Sequence, residues 1–329
     1  MDILLDILKL LGGFVLLIKG ADFFVEGSSA VARKFKIPSI VVGLTIVAMG
    51  TSLPELAVSL SAALNKSNEI AISNVVGSNI FNLLMVLGVC AAISPITVDK
   101  SVMKRDMPFM LIITAALVVM FADVILPWAG MDKVLDFVGI LSRFDSVILL
   151  VVFVGYLVVT VMYALKNRTS ADEEEETKGK TDNMLINILF IVGGVVAIKF
   201  GGDFVVGGAS NIAEFLGMSP TLVGLTIVAV GTSLPELVTS IVAARKNETS
   251  LAIGNVVGSN IFNILFILGT SAVISPIAVI ADSLIDITIT LGVSIVAFIF
   301  CKTNNKLGRK EGAAMISIYI AYMVFAILR

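Results

Sequence analysis

Apolar residues occur along this chain in long runs that are separated by short polar segments. Ten such runs lie near residues 4–32, 38–64, 69–92, 106–127, 145–165, 183–214, 220–244, 250–273, 279–301 and 313–328. A helix needs roughly 20 apolar residues to cross a hydrocarbon core about 30 Å thick, and it satisfies its own backbone hydrogen bonds there. The pattern therefore predicts an all-α polytopic membrane protein with ten transmembrane helices.

The composition agrees with this class. Hydrophobic residues make up 57% of the 329 residues and charged residues only 15%, and the mean hydropathy is +1.03. A soluble domain usually has about 25% charged residues. The first run has no basic leader and no small-residue cleavage site, so we expect it to remain as the first span.

The chain contains an internal repeat. Residues 42–88 and 223–269 align without a gap at an offset of 181, and 31 of the 47 aligned positions are identical. Residues 167–182, NRTSADEEEETKGKTD, are polar and acidic, which is typical of a solvated linker. We predict a first five-helix repeat at 1–166, an acidic linker at 167–182 and a second five-helix repeat at 183–329.

The distribution of basic residues predicts the orientation. Of the 23 Lys and Arg residues, 16 lie in the segments after the first, third, fifth, seventh and ninth runs, and basic loops are retained on the cytoplasmic side. We therefore expect a cell-membrane protein with both termini outside and a cytoplasmic linker. Because each repeat has five helices, the second enters the membrane from the opposite side, and such inverted repeats support alternating access.

One block, G-T-S-L-P-E, occurs in the middle of an apolar run in each repeat, at Gly50–Glu55 and Gly231–Glu236. Proline removes a backbone donor and breaks a helix, so we predict broken helices at the midplane. The break should free carbonyls near Thr51 and Thr232, which a membrane tolerates only around a cavity or an ion. A carboxylate at mid-span costs about 2.5 to 3.5 kcal/mol, so Glu55 and Glu236 predict a cation site.

A second block, N-V-V-G-S-N-I-F-N, follows in both repeats. It places Ser78 four residues before Asn82, and Ser259 four residues before Asn263. Residues at i and i+4 share one helix face, so each pair should direct its oxygens to one place. We predict that all four side chains are ion ligands.

The available oxygens favour a hard cation. Ca²⁺ takes about 6 to 8 oxygen ligands, and two bidentate glutamates with the carbonyls of Thr51 and Thr232 supply six. Smaller, less charged sites suited to Na⁺ could be built from further oxygens, namely the hydroxyls of Ser52, Ser233, Ser78 and Ser259 and the carbonyls of Ala48 and Ala229. The chain has no His, which disfavours zinc or copper.

Several function classes are excluded or left open. There is no G-x-x-x-x-G-K-[ST] phosphate loop, so we expect no nucleotide binding. The net charge of −2 provides no basic face that would bind nucleic acid. We expect no enzymatic activity and no cofactor, with Na⁺, Ca²⁺ and the lipid bilayer as partners of a monomeric antiporter. The function we expect is exchange of Na⁺ for Ca²⁺. The alternatives that stay open are a Ca²⁺/H⁺ antiporter, a K⁺-dependent variant, a cation channel and a membrane scaffold.

GLTIVAMGTSLPEL and GLTIVAVGTSLPEL, each followed by NVVGSNIFN, resemble the paired alpha-repeats of the sodium/calcium exchangers in the cation/calcium antiporter superfamily. The resemblance implies ten helices in two inverted halves with external termini. It also implies that Glu55 and Glu236 bind Ca²⁺ with the Thr51 and Thr232 carbonyls. The residues that would complete flanking Na⁺ sites are Ala48, Ser52, Ser78, Ala229, Ser233 and Ser259, with Asn82 and Asn263 at the centre.

The central positions depart from the family pattern. Well-characterised members often have an aspartate at one of the central positions, whereas this chain has Asn82 and Asn263. The two remaining carboxylates balance one Ca²⁺ but leave three Na⁺ with a surplus positive charge.

Outside the site, the spacing of Lys19 with Asp22, and of Lys199 with Asp203, predicts local ion pairs.

Overall fold

A computed structural model describes residues 3–121, 137–166, 183–217, 229–303 and 306–328, and the predicted linker at 167–182 lies outside these ranges. Helices overlap all ten predicted spans. In chain order the α-helices are α1 (Ile3–Lys34), α2 (Ser39–Val42), α3 (Ala48–Thr51), α4 (Leu53–Leu64), α5 (Asn68–Phe81), α6 (Leu87–Ile93), α7 (Met107–Phe121), α8 (Arg143–Lys166), α9 (Met184–Phe215), α10 (Ala229–Gly231), α11 (Leu234–Arg245), α12 (Thr249–Phe262), α13 (Gly269–Ile274), α14 (Ala281–Lys302) and α15 (Arg309–Leu328).

Six helical stretches among the described residues are long and apolar enough to cross a membrane. They are Glu69–Ile93, Arg143–Lys166, Met184–Phe215, Thr249–Ile274, Ala281–Lys302 and Arg309–Leu328. The bent pair Ser39–Thr51 and Leu53–Leu64 would make a seventh. The structure is thus mostly helical, with six or seven such spans in the described part of the chain where the sequence predicts ten.

The predicted helix break is present in both repeats. In the first, the axis bends by 49° between α3 and α4, and Ser52 at the junction has φ −85° and ψ 13°. In the second, Ser233 between α10 and α11 has φ −93° and ψ 6°. Pro54 and Pro235 follow within the first turn of α4 and α11, where proline needs no hydrogen-bond acceptor.

Within the described ranges, four π-helical segments interrupt or adjoin the α-helices, and the sequence patterns did not indicate them. They are π1 (Gly43–Val47), π2 (Asn82–Val86), π3 (Val102–Asp106) and π4 (Asn263–Leu268). Such widened turns often occur at functional sites. Two of them begin at Asn82 and Asn263, the central asparagines of the repeats.

In the part of the chain that the structure describes, two small antiparallel ladders join the two halves. Strand β1 (Ile96–Thr97) pairs with β4 (Lys306–Leu307), and β2 (Phe137–Leu141) pairs with β3 (Ile277–Ile280). Paired strands must lie on the same side of a membrane. The loop after the third predicted span therefore shares a side with the loop after the ninth, as the positive-inside count predicts.

Helices α1 and α9 pack tightly along their lengths through glycines. A Cβ atom at Gly13 would lie 2.8 Å from the Gly201 carbonyl oxygen, and one at Gly194 would lie 2.8 Å from the Gly20 carbonyl oxygen. Small residues allow membrane helices to approach this closely. Glycine is therefore required at the contact because no larger side chain fits.

Candidate functional site

The two glutamates predicted as cation ligands lie at equivalent places in the structure. Glu55 is in the first turn of α4, and Glu236 is in the first turn of α11. Each side chain is fully buried. The first turn of a helix has unpaired backbone N–H groups and favours negative charge. The local fold therefore stabilises both carboxylates where the sequence places them.

Hydrogen bonds cross between the repeats at these carboxylates. The Ser52 hydroxyl donates to Glu236 Oε1 at 2.7 Å, and the Ser233 hydroxyl donates to Glu55 Oε1 at 2.9 Å. Ser78 joins the second pair, because its hydroxyl is 3.4 Å from Glu55 Oε1 and 3.0 Å from the Ser233 hydroxyl. Each repeat thus contributes a serine to the glutamate of the other.

Several oxygens at the centre are buried without a partner. Neither Glu55 Oε2 nor Glu236 Oε2 has a hydrogen bond. Asn263 Oδ1 has none either, and neither the amide oxygen nor the amide nitrogen of Asn82 has a partner. Among the described residues neither glutamate has a Lys or Arg partner. Unpaired buried carboxylates are costly, and a bound cation would satisfy these oxygens.

The donor set is that of a hard cation. Carboxylate, hydroxyl and amide oxygens suit Ca²⁺ and similar ions. The described part of the chain has no group of three or more His, Cys, Asp and Glu side chains placed to hold a metal ion. The carboxyl groups that the described residues bring to this centre are those of Glu55 and Glu236, and the two central positions hold asparagine.

The threonines predicted as ligands are not equivalent in the structure. The Thr51 hydroxyl donates to Asn255 Oδ1 at 3.1 Å and is 3.3 Å from the Ala48 carbonyl oxygen. The Thr232 hydroxyl is buried and unpartnered. Ser259 also approaches the Ala48 carbonyl oxygen, at 3.5 Å. Ala229 begins α10, but its side-chain surroundings lie outside the described residues.

Two asparagine–serine pairs support the site and were missed in the sequence. Asn74 Nδ2 donates to the Ser59 hydroxyl at 2.8 Å and to the Glu55 carbonyl oxygen at 3.0 Å. Asn255 Nδ2 donates to the Ser240 hydroxyl at 3.0 Å. Both asparagines lie four residues before Ser78 or Ser259, so extending the i, i+4 pattern by one step would have found them.

A third pair of asparagines joins α5 to α12 at the centre. Asn79 Nδ2 donates to the Asn260 carbonyl oxygen at 3.3 Å, and Asn260 Nδ2 donates to the Asn79 carbonyl oxygen at 3.2 Å. Asn263 Nδ2 donates to Asn79 Oδ1 at 3.0 Å. The equivalent bond from Asn82 to Asn260 is absent, because both atoms are unpartnered. The two halves are thus in different local arrangements.

Known proteins match this chain over nearly its whole length. A family model described as sodium/calcium exchanger protein matches residues 6–162 and 186–328. The sodium/calcium exchanger MaX1 of Methanosarcina acetivorans is 35% identical, covering 98% of each chain. The inner membrane protein YrbG of Escherichia coli is 33% identical, covering 95% of this chain and 94% of YrbG. The solved structure of the sodium-calcium exchanger NCX_Mj has a TM-score of 0.81 at 32% identity and covers 99% of each chain.

Proposed function

The chain belongs to the sodium/calcium exchanger family, and from that premise we propose that it exchanges Na⁺ for Ca²⁺ across the membrane through its two-glutamate site. The reciprocal Ser52–Glu236 and Ser233–Glu55 bonds carry this proposal. They bring carboxylates from both repeats to one buried place. A site at the interface of two repeats can be exposed to either side as the repeats rearrange.

The ligand assignment follows the chemistry of the oxygens. Glu55 and Glu236 hold Ca²⁺ because, among the described residues, they supply the carboxylates of the site and each has an unpartnered oxygen. The carbonyls of Thr51 and Thr232 complete its shell. The residues that serve the flanking Na⁺ sites are Ala48, Ser52, Ser78, Ala229, Ser233 and Ser259. Asn82 and Asn263 provide neutral amide oxygens at the centre.

We propose the architecture of ten transmembrane helices in two inverted five-helix repeats, joined by the cytoplasmic linker 167–182. Both termini lie outside, and the chain acts as a monomer. The ladders support this arrangement. The offset of 181 places β1 at the position of β3, yet β1 pairs with β4 while β3 pairs with β2. This pairing is expected if the loops that contain β1 and β3 lie on opposite sides of the membrane, because each strand can then pair only with a strand on its own side.

The difference between the halves supports alternating access. Thr51 is bonded to Asn255, whereas Thr232 is not bonded to Asn74. In an inverted-repeat transporter the two halves adopt unlike conformations, and exchanging them opens the other side. The chain alternates between such states, moving Ca²⁺ in one direction and Na⁺ in the other.

Competition between the ions tests the shared site. Purified protein in detergent should bind ⁴⁵Ca²⁺, and added Na⁺ should displace it, because both ions use the same carboxylates. K⁺ at the same ionic strength is the control, since it screens charge equally. Displacement by K⁺ as strong as by Na⁺, or Ca²⁺ binding that ignores Na⁺, would contradict the proposal.

A further inference from the structure

A group of ion pairs joins α1 to the turn between α11 and α12, away from the site described above. Lys246 Nζ lies 2.6 Å from Asp22 Oδ1 and 3.7 Å from Glu26 Oε2. It also donates to the Asp22 carbonyl oxygen at 3.1 Å. Arg33 Nη1 lies 3.5 Å from Glu248 Oε1. We call these contacts the α1 latch, because they attach α1 to one end of the α11–α12 hairpin.

The prediction of a local ion pair between Lys19 and Asp22 is wrong. Asp22 pairs with Lys246 of the other repeat, since the approach of α11 brings a cation closer than its own helix does. The predicted Lys199–Asp203 pair does form, at 2.7 Å within α9. Equivalent aspartates of the two repeats therefore have different partners.

The other repeat has no counterpart of the latch among the described residues. The offset of 181 pairs Asp22 with Asp203, Glu26 with Gly207, Lys246 with Asn65, and Glu248 with Ser67. Asn65 donates to the Ser61 carbonyl oxygen of its own helix at 3.0 Å. It lines an open groove of about 420 Å³ at the end of the α4–α5 hairpin. The latch is thus encoded in one repeat only.

This asymmetry acts on elements that carry the site. The α11–α12 hairpin contains Glu236 and Ser259, and the latch holds its far end against α1. The α4–α5 hairpin contains Glu55 and Ser78, and the residues that the structure describes provide it with no such attachment. When two halves exchange conformations, a contact that only one half can make stabilises one of the two states.

We infer that Lys246 is a positioning residue for transport, which holds α1 against the α11–α12 hairpin and favours the state whose site faces outside. This rests on the proposed function and on the predicted topology, in which Lys246 lies on the cytoplasmic side. Closing that side leaves the site accessible from the other. The latch would therefore make Ca²⁺ bind more readily from outside than from the cytoplasm.

The expected effect is moderate because the latch is partly exposed. The side chains of Lys246 and Asp22 are 33% and 38% accessible, and exposed ion pairs contribute up to about 1 kcal/mol. That free energy corresponds to about a five-fold change in the equilibrium between the two states. The ratio of apparent affinities on the two sides follows this equilibrium directly.

The test uses Lys246→Asn, which installs the residue found at the equivalent position of the first repeat. In proteoliposomes of known orientation, the half-saturating Ca²⁺ concentration is measured on each side. The ratio of the cytoplasmic value to the outside value should fall about five-fold. Lys199→Asn, which breaks the pair within α9, is the matched control and should leave the ratio within about two-fold. Asp22→Lys with Lys246→Asp should restore the wild-type ratio.

A second readout separates this inference from the proposed function. Hydrogen exchange of the backbone amides at 22–34 should accelerate in Lys246→Asn, while exchange at 203–214 should not change. If the wild-type protein shows no Na⁺-dependent Ca²⁺ flux, the proposed function fails. Hydrogen exchange alone then tests whether the latch holds α1 against the α11–α12 hairpin. Unchanged exchange at 22–34, an unchanged ratio in a transporting Lys246→Asn variant, or an equal effect of Lys199→Asn would overturn the inference.

Discussion

Glu236→Gln is expected to abolish Ca²⁺ transport, and Glu55→Gln should do the same. Glutamine keeps the shape of the side chain and removes one of the two negative charges of a fully buried site. Removing one partner from a buried ionic contact costs about 3 to 5 kcal/mol, which is more than about 100-fold in affinity. ⁴⁵Ca²⁺ uptake into proteoliposomes against an outward Na⁺ gradient measures the loss.

The control for this pair of variants is Glu69→Gln. Glu69 is in the first turn of α5 and is exposed, so the substitution makes the same change of charge on the helix that carries Ser78 and Asn79. Its transport should match that of the wild-type protein. Ca²⁺ flux that persists in both Glu55→Gln and Glu236→Gln would show that the ion binds elsewhere.

Gly194→Leu is expected to destabilise the fold and stop transport. A Cβ atom there would lie 2.8 Å from the Gly20 carbonyl oxygen and 2.8 Å from both the Cβ atom and the backbone nitrogen of Phe24. Since two of these three are backbone atoms, α1 and α9 would have to separate. Overpacking costs about 1 to 3 kcal/mol, and it would displace Phe24, whose ring lies beside Gly50 of the first G-T-S-L-P-E block. Thermal unfolding in detergent and Ca²⁺ uptake report the two effects.

The neighbouring residue of the same helix provides the control. A Cβ atom at Gly193 would meet no heavy atom within 4 Å, so Gly193→Leu adds the same side chain without a clash. It gains the same helix propensity, about 1 kcal/mol relative to glycine. Its unfolding midpoint should equal or exceed that of the wild-type protein. Equal midpoints for the two variants would show that the glycine contact between α1 and α9 is not needed.

The sequence was sufficient to predict the local features of the site. Proline after a Gly-Thr-Ser turn predicts a helix break for steric reasons alone, and the breaks at Ser52 and Ser233 are where the motif places them. The fixed offset between the repeats predicts that Glu55 and Glu236 are equivalent. These arguments need only covalent geometry and the cost of burying charge.

Features that depend on tertiary contacts could not be predicted in the same way. The pairing of Ser52 with Glu236, and not with the glutamate of its own repeat, depends on how the two halves pack. The ion pair between Asp22 and Lys246 likewise joins the two repeats. The π-helical turns beginning at Asn82 and Asn263 have no recognisable pattern in one sequence. The two side-chain contacts join elements that are far apart in the chain.

Gradient-driven flux tests the central claim most directly, because it asks whether this chain couples the two ions. Proteoliposomes loaded with Na⁺ and diluted into Na⁺-free medium should accumulate ⁴⁵Ca²⁺, whereas an outward K⁺ gradient or a pH gradient alone should not cause uptake. The double variant Glu55→Gln/Glu236→Gln sets the background. Ca²⁺ uptake that follows the pH gradient and ignores Na⁺, or uptake that needs no counter-ion, would contradict Na⁺/Ca²⁺ exchange at this site.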